Sequence, residues 1–391
     1  MADGVWELFG SLMSPGGAND PYPLYAKLRA HGPLVEAQPG MLIATSYATV
    51  DEVLRDPALG VEPAPGALER SILATNPPDH TRMRRPIAAA FTPRRIGGLR
   101  SAIQAQATSL LDGLPGNSAD LMAEFAYQLP VGVICELLGV PHKDRTWFRP
   151  IAQDVAAALE FNMTPETVEN YASASELLLS YFASLVELKT STPEDDLISD
   201  LAKSEALTPA ELLRNLALLL IAGFETTTNL IGNGVMALLR HPDQLARLKA
   251  QPELTPAFIE EFLRYDPPVQ VTSRVALQPT VVNGQQIEAG TYVVALIGSA
   301  NRDEARFPGA DRFDPDRPDN TPISFGAGAH FCLGAALARM EGQVAFPLLL
   351  ERLDGLRLES EPVRRDRLVL RGYETLPVTW NDSSSGTAPR R

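Results

Sequence analysis

The sequence predicts a mainly α protein with a minor β component, and three observations carry that prediction. A Leu-rich stretch of over 30 residues runs from Pro209 to about Arg240 and is apolar nearly all round, the pattern of a helix crossing the centre of a large domain. Strand-like pieces, at 42–45, 280–282, 292–296 and 368–370, are few, short and dispersed. No repeat, Gly/Ser linker or charge block divides the 391 residues. One domain is therefore expected over 16–380, with a flexible N-terminus over 1–15 and a disordered tail over 381–391 that has almost nothing to bury.

Composition narrows the class. The chain is 45% hydrophobic and 21% charged, as ordinary globular proteins are. Two cysteines exclude a disulfide framework and a Cys-rich zinc module. A net charge of −14 argues against nucleic acid or an anionic membrane as partner. The first basic residue is Lys27, so no secretory leader is expected. The longest apolar run, 216–224, is far short of the roughly 20 residues that span a bilayer. A soluble, cytoplasmic protein is expected.

Element by element, the central helix is the best defined. Thr208 suits its N-cap, Pro209 its first position, and Pro242 follows its end. Within it lies Ala222-Gly-Phe-Glu-Thr-Thr227. Thr226 can bond back to the carbonyl of Ala222 and loosen the ladder, and Gly223 keeps the helix wall thin. The result would be a groove, with Glu225 and Thr226 beside each other as an acid–alcohol pair. A carboxylate in so apolar a helix is costly unless paired, and the sequence does not show its partner. The Pro- and Asp-rich stretch 307–319 reads as long coil.

The strongest signal is Phe325-Gly-Ala-Gly-Ala-His-Phe-Cys-Leu-Gly334, with a helix pattern starting straight after it. Cys332 would face the free N–H groups and positive end of that helix, a setting that lowers a thiol pKa. A thiolate there can be the axial ligand of a haem iron and favour O–O cleavage. Gly328 would allow a tight turn. Gly334 would let the backbone lie against a flat macrocycle, and His330 could donate to a propionate. Cys135, in Val131-Gly-Val-Ile-Cys-Glu136, reads by contrast as a buried packing cysteine.

This loop resembles that of the cytochromes P-450, haem-thiolate monooxygenases, whose pattern Phe-x-x-Gly-x-(His/Arg)-x-Cys-x-Gly it matches at every fixed position. The resemblance implies a single-domain P-450 fold with one haem b between the central helix and the cysteine-loop helix. Cys332 would ligate the iron, with Phe325, Gly326, Gly334 and Ala222 at the cofactor. Residues 222–227 are similar to the family's (Ala/Gly)-Gly-x-(Asp/Glu)-Thr-Thr, so Glu225 and Thr226 would deliver the two protons that O2 takes up with two electrons. Glu261, Arg264 and Arg317 are similar to the family's bracing triad of one Glu and two Arg. His80 and Arg84, at i and i+4, resemble its propionate site, and Arg274 and His330 match further propionate ligands.

The resemblance implies the reaction and the partners too. One atom of O2 would enter a small, mostly apolar substrate by hydroxylation or epoxidation. Apolar residues including Pro63, Pro65, Leu68, Ile72, Leu73, Phe161, Met163, Leu219, Val269 and Val271 are expected to line its site. No flavin or nicotinamide fingerprint is present, so electrons would come from an acidic ferredoxin and its reductase. Six arginines and no acid lie between residues 81 and 100, at 82, 84, 85, 94, 95 and 100, an expected docking patch for that donor. Arg outnumbers Lys 29 to 5, a codon-bias mark of GC-rich bacteria that favours secondary metabolism. The competing readings are a P-450-fold scaffold that binds haem or ligand without monooxygenase activity, and a peroxide-driven variant.

Overall fold

The computed structural model describes residues 2–63 and 66–381. Pro65 lies outside them, as does the expected tail apart from Asn381. The centre is one long helix, Pro209–Arg240. It starts as the sequence predicts: the Thr208 hydroxyl accepts from the Glu211 N–H while the Glu211 carboxylate accepts from the Thr208 N–H, a reciprocal cap that satisfies two orphan donors. Around it pack the helices Gln128–Leu138, Phe148–Ala157, Pro165–Ser191, Thr255–Tyr265 and Ala335–Arg352.

Gly223 sits where the central helix crosses Gln128–Leu138. A Cβ there would come within 2.5 Å of Ile134. The absence of a side chain at this position lets the two helices touch.

The β component is peripheral. Its largest sheet has five strands in the spatial order Leu34–Gln38, Met41–Ala44, Tyr292–Leu296, Val271–Ala276, Leu59–Gly60. Met41–Ala44 runs parallel to Tyr292–Leu296, and the other pairs are antiparallel. Thr280–Val282 pairs with Gln285–Ile287 as expected of a short hairpin. Residues 307–319 are turns and coil.

Two expectations fail. Residues 368–370 form no strand; their N–H groups donate to the Glu160 carboxylate at 2.9–3.1 Å, so a side chain replaces the ladder. Nor is the described part of the N-terminus flexible coil. Ala2–Leu12 is a helix whose Val5, Phe9 and Leu12 are buried. Phe9 meets Phe161 edge-on at 5.8 Å, and the burial of these apolar groups holds the segment down.

Candidate functional site

The cysteine loop is closed by its own backbone. The Cys332 N–H donates to the Phe325 carbonyl at 2.9 Å, and the chain between turns through positive φ at Gly326 and Gly328 (69° and 68°). Gly328 is also pressed on the helix Tyr47–Arg55, where a Cβ would lie 2.3 Å from the Leu54 carbonyl oxygen. At Gly326 and Gly334, by contrast, a Cβ would meet nothing within 4 Å. The loop therefore presents an open, side-chain-free face beside Cys332.

The N–H groups of Gly334 and Ala335 bond to the half-buried Cys332 thiol at the start of the helix Ala335–Arg352. Burial nevertheless pushes the thiol up. It outweighs those two N–H groups and the charges of Arg84 and Arg339. The sequence expectation of a lowered thiol pKa is therefore corrected: the helix end works against desolvation and does not overcome it in the protein alone.

Four protonable groups gather beside the loop. Arg84, on the helix Asp79–Ala88, donates to the Phe331 carbonyl at 2.5 Å. His80 is buried, its ring lies 4.3 Å from that of His330, and its Nε2 has no hydrogen-bond partner. Arg274 is 5% exposed in the strand Val271–Ala276 and donates to the Ser273 carbonyl at 2.7 Å. His330 bonds to the Ile72 carbonyl.

Burial depresses all four groups, and neighbouring cations add to it at the two histidines. Burial and the neighbouring His80, Arg274 and Arg84 push His330 down to about 3. Burial alone takes Arg274 down to about 10. Burial first, then the Arg84 charge, lowers His80. None of the four pairs with a carboxylate among the described residues. Buried cationic groups without anions are costly, so the cluster is built for an anionic ligand. A haem supplies two propionates and a flat ring. The orphaned His80 Nε2, the acid-free cations and the open glycine face of the loop fit that group.

On the central helix, Ala222 is exposed and Gly223 and Thr226 half-buried, within a helix whose other residues from Leu216 to Leu238 are buried. These three are the accessible positions, at the place where the sequence predicts a groove. The Thr226 hydroxyl bonds back to the Ala222 carbonyl at 3.1 Å. Glu225 is elsewhere: it is 1% exposed, its Oε1 accepts from Arg365 Nη1, and Arg367 Nη1 lies 4.0 Å away. Its Oε2 has no partner. Glu225 and Thr226 share no hydrogen bond among the described residues, so the expected side-by-side pair is corrected to two side chains with separate partners.

The bracing triad forms. Glu261 and Arg264 make two hydrogen bonds of 2.7 Å and are wholly buried. Arg317 Nε lies 3.9 Å from Glu261. Arg264 also donates to the Asn301, Ala310 and Arg312 carbonyls, tying the coil of 307–319 to the helix.

Comparison with known proteins decides the family. The profile described as cytochrome P-450 matches residues 162–371. The cytochrome P-450 monooxygenase PikC of Streptomyces venezuelae is 38% identical, over 93% of this chain and 92% of PikC. The chain belongs to the cytochrome P-450 family. The vitamin D(3) 25-hydroxylase of Pseudonocardia autotrophica is 39% identical over 94% of this P-450 and 95% of the hydroxylase. The crystal structure of P-450 BioI in complex with acyl carrier protein ligated to hexadec-9Z-enoic acid superposes with a TM-score of 0.90 at 34% identity, over 94% of this chain and all of that one. This P-450 is thus an oxidoreductase of the monooxygenase type, with the family's haem-thiolate iron.

Other expectations need correction. Arg82 is committed to Glu211 and Asp79 and to the Ala206 carbonyl, and Arg95 to Asp200. Arg84 points to the loop, and Arg100 donates to Gln343. The basic patch shrinks to Arg85 and Arg94, both exposed. Of the expected substrate-side residues, Leu68, Ile72, Leu219 and Val271 are buried, whereas Leu73 and Met163 are exposed and Phe161 packs on the N-terminal helix. Cys135 is the packing cysteine expected, wholly buried and pushed up to about 12 by burial. No helix among the described residues is long and apolar enough to cross a membrane.

Sequence reasoning missed Glu160, Arg365 and Arg367. Their signal in the chain, an isolated acid and the run Arg364-Arg365-Asp366-Arg367, reads as solvated surface.

Proposed function

We propose that this P-450 is a cytoplasmic enzyme that binds one haem b per chain. It inserts one atom of O2 into a small, mostly apolar substrate by hydroxylation or epoxidation, in secondary metabolism, with electrons from an acidic ferredoxin and its reductase. The convergence of Arg84, Arg274, His80 and His330 beside the Cys332 thiol, with no carboxylate among them, carries this reading.

Cys332 would hold the iron, its sulfur charge supported by the Gly334 and Ala335 N–H groups. Arg84, His80, Arg274 and His330 would bind the propionates, and Phe325, Gly326, Gly334 and Ala222 would border the ring. The iron–thiolate centre supplies the activation of O2. The chain's own part is to place the substrate, exclude water and move protons. Thr226, accessible in the groove, would pass a proton inward, and Glu225, one residue earlier, would replenish it. Relatives support an apolar substrate: one is named for vitamin D(3), and solved neighbours hold myristic acid and testosterone. Exposed Arg85 and Arg94 favour an acidic electron donor.

Turnover of the holoenzyme, reconstituted with a ferredoxin and its reductase, tests this. Thr226→Ala should divert electrons from product to hydrogen peroxide. Unchanged coupling would remove Thr226 from the relay. Charge reversal at Arg85 and Arg94 should slow donor-driven turnover most at low salt, because exposed charges are screened as salt rises. Equal rates at every ionic strength would refute the docking patch.

A further inference from the structure

We propose that the backbone N–H groups of Leu368, Val369 and Leu370 form a carboxylate-binding site, that Glu160 is its built-in occupant, and that the ligand it takes is the carboxylate of an aliphatic acid. The inference names a substrate class for the oxidation proposed above and rests on that reading.

The geometry is that of an anion receptor. Three successive N–H groups converge on one carboxylate. Leu368 donates to Glu160 Oε2 at 2.9 Å, Leu370 to Oε1 at 3.1 Å, and Val369 to both oxygens, at 2.9 and 3.1 Å. Successive N–H groups aimed at one point make a concave anion site. Such bonds to a charged oxygen are stronger than bonds between neutral groups.

The occupant comes from a connection and not from a rigid element. Glu160 is half-buried between the helices Phe148–Ala157 and Pro165–Ser191, and residues 162–164 after it are exposed. Burial pushes its carboxyl up, outweighing the three N–H groups and the charge of Arg367. The charge of Glu160 is therefore held at a cost. A carboxylate that brings its own apolar body can displace it, because burial of that body adds to binding.

The surroundings suit such a body. Leu368 and Leu370 are buried. Leu370 pairs with Val269, a residue expected at the substrate. Arg365, three residues before Leu368, reaches Glu225 on the central helix. The segment that carries the three N–H groups thus touches the central helix at one end and Val269 at the other. Arg367 adds a positive charge that acts on Glu160, and its Nη2 is fixed on the Gln153 carbonyl at 3.0 Å. A neutral alcohol of the same length gains nothing from that charge.

The test compares wild type, Glu160→Gln and Glu160→Ala as holoenzymes. Each is titrated with myristate and with 1-tetradecanol, read by the optical spin-state shift of the ferric haem, with melting temperature and the carbon monoxide spectrum as checks of folding. Glu160→Ala empties the site, so myristate should bind it on the order of 10-fold to 100-fold more tightly than wild type, the worth of a hydrogen bond to a charged group, while tetradecanol should change less than about 2-fold. Glu160→Gln removes the charge and leaves an amide oxygen for the N–H groups, so its gain should be smaller. If Glu160→Ala loses its fold, that smaller gain, for myristate and not for tetradecanol, decides. Melting in sodium acetate against sodium chloride at equal ionic strength gives a second readout: acetate should raise the melting temperature of Glu160→Ala and leave wild type unmoved.

Equal gains in the Gln and Ala variants would reduce Glu160 to a repelling charge and overturn the site. So would myristate affinity unaltered in Glu160→Ala, or an equal gain for tetradecanol. If holoenzyme with ferredoxin and reductase then still oxidised tetradecanol, the monooxygenase reading would stand without the acid site. Tighter myristate binding and an acetate effect in Glu160→Ala, with neither compound oxidised, would overturn the oxidation reading and the substrate role, and leave the carboxylate site standing.

Discussion

Two buried Glu–Arg pairs in this P-450 look alike in composition and differ in how they are finished. Glu261 is saturated. Both its oxygens take Arg264, one also takes the Asp314 N–H at 2.7 Å and the other Asn320 at 3.0 Å, with Arg317 behind. Glu225 has one oxygen on Arg365 and one on nothing. The saturated pair has both carboxylate oxygens occupied and acts as a brace. The unsaturated pair lies next to the accessible Thr226, which suits a group that must move.

Breaking the brace should give the larger effect. Glu261→Gln leaves Arg264 buried with a weaker acceptor, and loss of one partner of a buried pair costs about 3–5 kcal/mol. Thermal melting and haem retention should both fall sharply. Glu225→Gln should leave melting close to wild type and reveal itself in coupling. Equal loss of melting temperature in the two variants would erase the distinction.

A third pair sharpens the comparison at the partly exposed end. Arg82, 39% exposed, bonds to Glu211, which is 4% exposed. Chiefly through Arg82, Glu211 is held down at about 2 from an ordinary 4.5. A depressed carboxylate adds stability above its unfolded pKa and loses it as pH falls. The contribution should disappear between about pH 4.5 and about 2, and Glu211→Gln should flatten the acid limb of a melting-temperature profile in that window. An unaltered limb would show that Arg82 adds nothing there. The effect should be the smallest of the set, because Arg82 is partly screened by solvent.

The pairs also show what a sequence can disclose. Glu261 and Arg264 are three residues apart on one helix, and the cysteine loop packs its glycines, His330 and Cys332 into ten residues. Their chemistry follows from local spacing. The central helix was readable from Thr208, Pro209 and a long apolar run for the same reason. The partner of Glu225 was not readable, because 140 residues separate it from Arg365 and nothing local distinguishes Arg365 from its neighbours Arg364 and Arg367. Glu160 and the amides of 368–370 are likewise joined by tertiary structure alone, and β-branched and Leu content there mimicked a strand. The N-terminal helix did carry a signal. Val5, Phe9 and Leu12 recur at helical spacing, and position at the chain end outweighed it.

The most direct measurement is the difference spectrum of the dithionite-reduced holoenzyme with and without carbon monoxide, for wild type and Cys332→Ala. A thiolate from Cys332 predicts a strongly red-shifted Soret band in wild type and its loss in the variant. A red-shifted band that survives in Cys332→Ala, or none in haem-loaded wild type, would contradict the assignment of the iron ligand.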